Sequence, residues 1–485
     1  MSFLASYVRE QKRYTKKELQ KLFDFTTQEV ENFIRLLKAY GVLKSVKNTP
    51  NQLDLTELTE TDLAYVDVSS DNGACYYVFT YVGVITVGSR VIKCFPKYIS
   101  HTEHPVEQMK QVLKVLQKYA AKEQIVNLYN GADQSNSFNL LAVMLFLLSD
   151  YHEHGLYTNH EDLIEPNGDG EILWEKTVNE GFVILQNNKP YYTEYFTRRT
   201  VDDETDYFLR LHRCIVSECS RQLREADLLS LFDLLDADLC DDSLASFGEI
   251  NYILYRLQNE LNIQFNTRKQ TLLKTLYAYV ANQQAIAQSD GISMYGTTTF
   301  NLVWEDVCGN VFGNKLHTPL GQLPLNLAPG YNPHAQLISL IASPRWSGID
   351  TTGRSFTKNA TETLIPDIVC VSKTDFTILD AKYYCPQLLP DKPLRGQPGV
   401  GDVTKQYLYQ LAFGKFIQDH RLQPIHNCFV MPTEEKLVSC FAVAEMEILS
   451  QLGLKNIIVR KVPAQVLYEK YLKRLTLDIS YLQLG

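Results

Sequence analysis

The sequence has 485 residues, of which 45% are hydrophobic and 21% are charged, and its formal net charge is −9 at pH 7. A chain of this length exceeds a single hydrophobic core, so about three domains are expected. The acidic balance lacks the overall basic signature of a nucleic-acid-binding protein, although a DNA-binding cleft needs only local cations. The ten cysteines show no zinc-type spacing, which favours reduced thiols in a cytoplasm.

No segment of the sequence is expected to enter a membrane. The first residues lack the basic stretch and apolar stretch of a signal peptide, and the longest apolar run, 140–148, is nine residues long. We therefore expect a soluble protein of the bacterial cytoplasm.

Residues 1–65 are predicted to form a winged-helix-like domain. Thr15-Lys16-Lys17-Glu18 and Thr26-Thr27-Gln28-Glu29 each match a capping box at the start of a short helix. Gly41 is placed as the C-terminal cap of the second helix, and 42–46 as the first strand of a wing. The candidates for phosphate contacts are the cations Lys16, Lys17, Arg35 and Lys38. This kind of domain also serves for packing and protein contacts, so both roles stay open.

Residues 66–285 are predicted to form a β-hairpin domain followed by a helical region. A strand over 76–87, a turn at Gly88-Ser89 and a returning strand over 90–95 give the first hairpin. A second hairpin is predicted around the turn Asn187-Asn188-Lys189-Pro190. The remainder of this region is largely helical in pattern.

Residues 286–485 are predicted to form an α/β domain with a mixed sheet flanked by helices. Two apolar, β-branched runs within 365–379 are separated by the polar turn Ser372-Lys373-Thr374-Asp375, which predicts a β-hairpin. The other elements predicted here are a helix over 298–312, a short strand over 337–341 and a long helix over 402–420.

Two aspartates and a lysine are expected to meet at one end of that hairpin. Asp380 and Lys382 are two apart on a strand, so their side chains leave the same face, and Asp367 begins the partner strand. Carboxylate oxygens are preferred ligands of Mg²⁺, and a neighbouring lysine can orient a water or offset charge. Pro366-Asp367, twelve residues and then Asp380-Ala381-Lys382 match the PD-(D/E)xK nuclease signature, although this expression alone is loose.

Two further features favour a nuclease site. Glu305 lies on the helix before the hairpin, where this nuclease fold places its third metal-site carboxylate, and Asp306 beside it keeps the choice open. Gln406 lies on the helix after the hairpin, with Tyr409 one turn further, and is predicted to orient the lysine, a water or the phosphate. Lys405 is a further candidate for a phosphate contact. A solvated glutamate and a polar helix stripe are the plain structural alternatives.

Taken together, these segments resemble LlaJI-type, McrC-like restriction endonuclease subunits. The resemblance spans about residues 75–460 and is carried by 81–85, 92–98, 303–305, 365–368, 379–383 and 405–410. It implies a Mg²⁺-dependent endodeoxyribonuclease, in which Mn²⁺ is expected to substitute. The implied metal ligands are Glu305, Asp367 and Asp380, with Lys382 at the attacking water and Gln406 in support.

The resemblance also implies a two-component machine that acts on double-stranded DNA. In McrC-like systems, a separate McrB-like AAA+ GTPase hexamer translocates the DNA, and the nuclease subunit docks on it and stimulates GTP hydrolysis. This sequence has no GxxxxGK[ST] motif, so we expect it to bind no nucleotide and to use GTP through its partner. The candidate docking finger is the hairpin 76–95 with Arg90 beside its turn, unless Arg90 is merely an exposed turn residue. Dimerisation through the assembled complex stays open.

Two other functions compete with a restriction (phage-defence) endonuclease at this point. One is a non-catalytic, GTPase-stimulating assembly or DNA-binding subunit whose nuclease fold is a scaffold. The other is a DNA-repair nuclease that needs no motor. The complete set of Asp367, Asp380 and Lys382 favours the endonuclease.

Overall fold

The computed structural model describes residues 4–47, 75–87, 90–123, 140–158, 160–187, 189–202, 206–288, 292–391 and 394–484. These ranges contain twelve α-helices and nineteen β-strands in six sheets, so the mixed α+β class is confirmed. The helices are α1 (Lys16–Leu22), α2 (Thr27–Ala39), α3 (Val106–Glu123), α4 (Leu140–His154), α5 (Trp174–Glu180), α6 (Tyr207–Glu225), α7 (Ile250–Ile263), α8 (Thr267–Gln288), α9 (Phe300–Val311), α10 (Val400–Asp419), α11 (Glu447–Ser450) and α12 (Ala464–Leu472). None of the helices in these ranges is both long and apolar enough to span a bilayer.

The strands are β1 (Leu4–Arg9), β2 (Arg13–Tyr14), β3 (Leu43–Lys47), β4 (Cys75–Phe79), β5 (Val82–Val87), β6 (Arg90–Phe95), β7 (His160–Pro166), β8 (Glu171–Ile172), β9 (Val183–Gln186), β10 (Lys189–Tyr192), β11 (Phe196–Asp202), β12 (Ile292–Thr297), β13 (Arg345–Ile349), β14 (Ser355–Asn359), β15 (Ile368–Val371), β16 (Phe376–Ala381), β17 (Ile425–Thr433), β18 (Ser439–Ala444) and β19 (Ile457–Pro463). The two largest sheets have the orders β1-β6-β5-β12 and β15-β16-β17-β19-β18.

The chain forms two compact units. The first consists chiefly of Asn136–Met294, and the second of Leu4–Ile85, Arg90–Ser135 and Tyr295–Gly485. The three predicted domains group these segments differently, and that division stays a prediction.

The two capping boxes predicted near the N-terminus are both present. The side chains of Thr15 and Thr26 accept hydrogen bonds from the backbone N–H groups of Glu18 and Glu29, respectively. The predicted cap Gly41 has a φ of +69°, which favours glycine, and follows the end of α2. These local sequence signals therefore place α1 and α2 correctly.

The predicted first hairpin belongs to two different sheets. β4 pairs antiparallel with β3, whereas β5 and β6 lie side by side inside the sheet β1-β6-β5-β12. Most of β5 and β6 is buried. A Cβ on Gly83, whose φ is +143°, would collide with the carbonyl oxygen of Tyr295, so the backbones approach too closely for a side chain. The turn predicted at 88–89 lies outside the described residues.

A five-stranded mixed sheet forms the centre of the C-terminal part, as the sequence predicts. β15 runs antiparallel to β16, β16, β17 and β19 are parallel, and β18 is antiparallel to β19. Phe376 and Ile378 of β16 pack with Phe413 and Phe416 of α10. Because side chains alternate along a strand, Asp380 leaves the sheet on this same face.

The chain between α9 and this sheet differs from the prediction. The expected strand at 337–341 is wrong: Leu337–Leu340 is a short 3₁₀ helix whose Leu337 is fully buried. Its backbone N–H groups bond to Leu316 and Thr318 of a neighbouring loop instead of a strand. The hairpin of β13 and β14, which the sequence did not suggest, follows it.

Candidate active site

The carboxylate hairpin, β15 and β16, brings the predicted aspartates together at its open end. Every residue of both strands is buried, and Ile368 lies opposite Leu379. Asp367 precedes β15, and its Oδ2 accepts a hydrogen bond of 3.0 Å from the N–H of Ala381. The start of the first strand is thereby tied to the end of the second, next to Asp380.

Lys382 lies between two carboxylates. Its Nζ is 3.1 Å from Oδ1 of Asp380 and 3.2 Å from Oδ1 of Asp402. Burial disfavours the charged form, but the attraction of these two aspartates raises the pKa of Lys382 above its ordinary value. Lys382 is therefore an ammonium at neutral pH, able to donate hydrogen bonds but not to accept a proton.

Sequence reasoning missed Asp402. It lies in the first turn of α10, where its Oδ2 accepts a 3.2 Å hydrogen bond from the N–H of Gly399 while its Oδ1 faces Lys382. An acidic residue three positions after a helix N-cap is a recognisable signal for the hydrogen bond with Gly399. The contact with Lys382 depends on how α10 packs against β16, which no local sequence pattern indicates.

Asp380 is a buried acidic residue between Lys382 and Asp367. It is only 4% exposed, and its Oδ1 has no hydrogen bond from the described residues, although the Lys382 ammonium is close. Burial, and then the neighbouring Asp367, raise the pKa of Asp380 to about 9. Two acidic side chains this close together suit a hard divalent cation such as Mg²⁺.

Electrostatics and hydrogen bonding favour Glu305 over Asp306 as the candidate for the third carboxylate. Burial, and then Asp367, raise the pKa of Glu305 to about 7, and Lys382 acts in the opposite direction. Asp306 is instead engaged with Tyr471 of α12, whose hydroxyl donates to it at 2.5 Å. No three His, Cys, Asp or Glu side chains of the described ranges already surround a metal position, so an ion would have to draw the carboxylates together.

Gln406 supports the strand that carries Asp380. It is fully buried, and its Nε2 donates a 3.3 Å hydrogen bond to the carbonyl of Ile378, two residues before Asp380. Its action on the lysine, a water or the phosphate stays a prediction. Lys405 beside it is exposed, as a phosphate-binding cation must be.

Asn314 fixes the backbone around Asp367. Its Nδ2 donates to the carbonyl of Asp367 at 2.7 Å, and its Oδ1 accepts from the N–H of Val369 at 3.0 Å. The Asn314 side chain thus makes the hydrogen bonds that a neighbouring strand would otherwise make with the backbone at the start of β15. No sequence pattern marks Asn314, because its partners are more than fifty residues away.

Glu10 and Lys97 contact Tyr383, the residue that follows Lys382. The hydroxyl of Tyr383, which follows Lys382, donates a 2.5 Å hydrogen bond to Oε2 of the buried Glu10. The N–H of Lys97 donates to the same oxygen at 3.2 Å, and the Lys97 ammonium lies 4.7 Å from the centre of the Tyr383 ring. The segment 92–98, noted in the sequence, therefore reaches the end of β16.

Two cations predicted to contact partners are already engaged within the chain. Arg90, the candidate at the tip of a docking finger, donates to the carbonyl of Asp24 at 3.3 Å and lies over the ring of Phe25. Lys16, a candidate for phosphate contact, is 2.7 Å from Glu31. Arg90 therefore contacts the loop between α1 and α2, and its role in docking stays a prediction.

The sequence of the chain matches a known protein family. The model of the LlaJI restriction endonuclease family matches residues 81–326 and 330–469. The type II restriction enzyme BsuMI component YdjA of Bacillus subtilis (strain 168) is 28% identical over 433 residues, which cover 87% of this chain and 86% of that protein.

Two solved assemblies from Thermococcus gammatolerans are also similar to the chain. A half-complex of McrB AAA+ hexamers with bound McrC matches at a TM-score of 0.37 and 11% identity, covering 97% of this chain and 99% of that chain. A second McrBC complex matches at a TM-score of 0.26 and 10% identity, covering 62% and 85%.

Proposed function

Because the chain belongs to the LlaJI restriction endonuclease family, we propose that it is the DNA-cleaving subunit of a restriction system and hydrolyses phosphodiester bonds with the help of Mg²⁺. The observation that carries this proposal is the convergence of Asp367, Asp380 and Lys382 at the open end of a buried hairpin. Burying ionisable groups costs stability, so a buried cluster of two aspartates and a lysine favours a catalytic role over a purely structural one.

The chemistry divides between the ion and the side chains. Asp367 and Asp380 would hold Mg²⁺, or Mn²⁺ in its place, with Glu305 as a third ligand. When bound, the ion supplies a Lewis acid that polarises the scissile phosphate and activates water. Cleavage by direct hydrolysis leaves 5′-phosphates and forms no covalent intermediate with the protein.

Lys382 acts as a cation in this scheme. Its raised pKa keeps the ammonium charged, so it orients the attacking water through hydrogen bonds and offsets negative charge on the transition state. Asp402 is a second ion-pair partner of the ammonium besides Asp380, and two such contacts limit the movement of the lysine side chain. Gln406 of α10 supports β16 through its hydrogen bond to the carbonyl of Ile378.

We also propose an McrB-like AAA+ GTPase hexamer as the partner that supplies the nucleotide-driven step. The sequence resemblance supports this partner, and the absence of GxxxxGK[ST] from this sequence agrees with it. The hairpin 76–95 remains the candidate docking finger from the sequence; most of β5 and β6 is buried, and its turn lies outside the described residues. A second candidate docking surface is the exposed apolar patch formed by α5, the β9–β10 hairpin and the residues between them, where Trp174, Phe182 and Leu185 are 57%, 65% and 72% exposed.

The proposal is tested by cleavage assays on the purified chain, alone and with candidate AAA+ partners, in GTP or ATP with Mg²⁺. Asp380→Ala and Lys382→Ala should abolish cutting and leave folding and assembly with the partner intact. Lys373→Ala, in the turn at the far end of the same hairpin, is the matched control and should cut normally. Cleavage by either of the first two variants at the normal rate would refute the assigned site.

A further inference from the structure

The hairpin of β13 and β14 is an exposed ribbon that neither the sequence prediction nor the proposed chemistry uses. Its strands pair antiparallel from Arg345 opposite Asn359 to Ile349 opposite Ser355. Apart from the partly covered Gly348, every residue of both strands is exposed. We call this hairpin, 345–359, the exposed ribbon.

The exposed ribbon is basic within an acidic chain. It contains three cations and one carboxylate, a net charge of +2, whereas the whole chain carries −9. The carboxylate, Asp350, accepts hydrogen bonds from Thr352 and from the backbone of Arg354 in the turn. Among the described residues, no carboxylate lies within ion-pair distance of Arg345, Arg354 or Lys358.

The two faces of the exposed ribbon differ in chemistry. Residues opposite each other in the register share a face, so Trp346 and Phe356 lie on the same side as Lys358. On that side, the Phe356 ring covers Gly348, and the Lys358 ammonium lies 5.9 Å from the ring centre. The opposite face carries the exposed Ile349 and, otherwise, hydrogen-bonding groups from Arg345, Ser347, Ser355, Thr357 and Asn359.

The base of the exposed ribbon is fastened close to the carboxylate hairpin. The N–H of Ala360 donates to the carbonyl of Pro344 at 2.7 Å, and Thr363 donates to the carbonyls of Ile341 and Ala342. Asp367 follows Ala360 by seven residues, a span of at most about 25 Å. The exposed ribbon therefore starts within one turn of B-DNA, about 34 Å, from the metal-binding carboxylates.

We propose that the exposed ribbon contacts the major groove of double-stranded DNA next to the bond that is cut, with its hydrogen-bonding face towards the base edges. A two-stranded ribbon fits the major groove, which is about 12 Å wide. Arginine, asparagine and hydroxyl side chains are the groups that read base edges there, and the remaining cations face the phosphates. This inference rests on the proposed DNA cleavage and assigns a recognition element to it.

Duplex DNA fits this surface better than a protein partner does. Three cations that have no ion-pair partner among the described residues match a polyanion, and five of the six side chains on one face of the strands offer hydrogen-bonding groups. The apolar side chains on β9 and β10 form the contrasting surface, because only Lys189 is cationic among those strands.

Fluorescence anisotropy with a labelled, mixed-sequence duplex tests the inference in EDTA, where binding is separated from cleavage. The variant Arg345→Ala/Arg354→Ala/Lys358→Ala should lose at least tenfold in affinity. The slope of log Kd against log salt should also fall by about 0.9 for each phosphate contact removed. Lys189→Ala, on the other exposed hairpin, is the matched control and should bind like the original protein.

A second pair of variants tests the assigned face. Arg345→Ala/Asn359→Ala should weaken binding about tenfold, whereas Trp346→Ala should change it less than twofold. The reverse pattern would overturn the face assignment. Equal DNA binding by the triple variant, Lys189→Ala and the original chain would overturn the inference as a whole, including the case in which none of them binds.

The same variants separate this inference from the proposed cleavage. At saturating duplex and Mg²⁺, the triple variant should retain its kcat within twofold and show a raised KM. If Asp380→Ala still cuts DNA, the proposed site fails, but the binding result in EDTA stands on its own. Circular dichroism of each variant confirms folding, which substitutions on so exposed a ribbon should not disturb.

Discussion

Two hairpins that follow one another in the chain, the exposed ribbon (345–359) and the carboxylate hairpin (368–381), share a secondary structure and have opposite surroundings. Nearly all residues of the first are exposed, and all strand residues of the second are buried. The difference determines what each can do. At the end of the carboxylate hairpin, burial raises the pKa of Asp380, whereas the neighbouring aspartates raise the pKa of Lys382 against the effect of burial, which prepares both groups for chemistry. The side chains of the exposed ribbon are instead open to solvent and available for recognition.

The largest expected effect concerns the end of the carboxylate hairpin. Asp380→Asn should lower the cleavage rate on the order of a thousandfold, because the amide keeps the shape of the side chain but is a poor ligand for Mg²⁺. The measurement is single-turnover cleavage with Mg²⁺ at saturating enzyme. Asp375→Asn, at the turn of the same hairpin, should cut at the original rate. A similar loss of cleavage rate in both variants would mean that cleavage depends on the integrity of the whole hairpin and not on the carboxylates at its open end.

The pH dependence of stability should separate the two hairpins in the metal-free protein. The folded-state pKa of Asp380 is raised to about 9, so its protonated form favours folding. This contribution is complete below the ordinary pKa of an aspartate and is lost as the pH rises towards 9. Relative to Asp380→Asn, the original protein should therefore lose thermal stability between pH 5 and pH 9 in EDTA.

Asp350 of the exposed ribbon provides a comparison of opposite sign. Hydrogen bonds from Thr352 and Arg354 lower its pKa, so its contribution is present at neutral pH and lost only in acid. Asp350→Asn should thus follow the original protein from pH 5 to pH 9. Parallel melting curves of Asp380→Asn and the original protein across this range would contradict the buried, proton-holding state of Asp380.

Burial should also separate two isoleucines. Ile378 of β16 is fully buried and Ile349 of the exposed ribbon is 75% exposed. Ile378→Ala should cost about 3 kcal/mol of the free energy of unfolding, because it leaves a cavity, whereas Ile349→Ala should stay within about 0.5 kcal/mol. Urea denaturation of both variants measures the two values. Similar losses in the free energy of unfolding would show that Ile349 is packed against other residues in solution.

The sequence predicted what local patterns determine. A spacing of two places Asp380 and Lys382 on one face of a strand, and the capping boxes at Thr15 and Thr26 mark helix starts, because in each case the interacting groups lie within a few residues. The family followed from several such segments in order. The mixed sheet followed from apolar runs separated by helical ones.

What the sequence did not reveal depends on distant parts of the chain. Asp402, Asn314 and Glu10 join the site only because helices and strands far apart in sequence pack together. The exposed ribbon has no alternating apolar face, so it lacks the signal by which strands are recognised. The segment 337–341 is apolar enough for a strand, but a loop at 316–318 takes its hydrogen bonds.

The smallest effect tests whether contacts from outside the carboxylate hairpin hold its end in place. Tyr383→Phe removes the hydroxyl that bonds to Glu10, so the backbone at Lys382 gains freedom, and cleavage should fall about tenfold. Tyr98→Phe is the matched control, since it removes another buried tyrosine hydroxyl, bonded to Tyr468 at 3.1 Å, and should leave cleavage unchanged. Glu10→Gln keeps an acceptor for Tyr383 and should retain most of the activity that Glu10→Ala loses. Equal losses in Tyr383→Phe and Tyr98→Phe, at equal thermal stability, would instead assign the effect to general loosening of the core, and Lys382 would then owe its position to Asp380 and Asp402 alone.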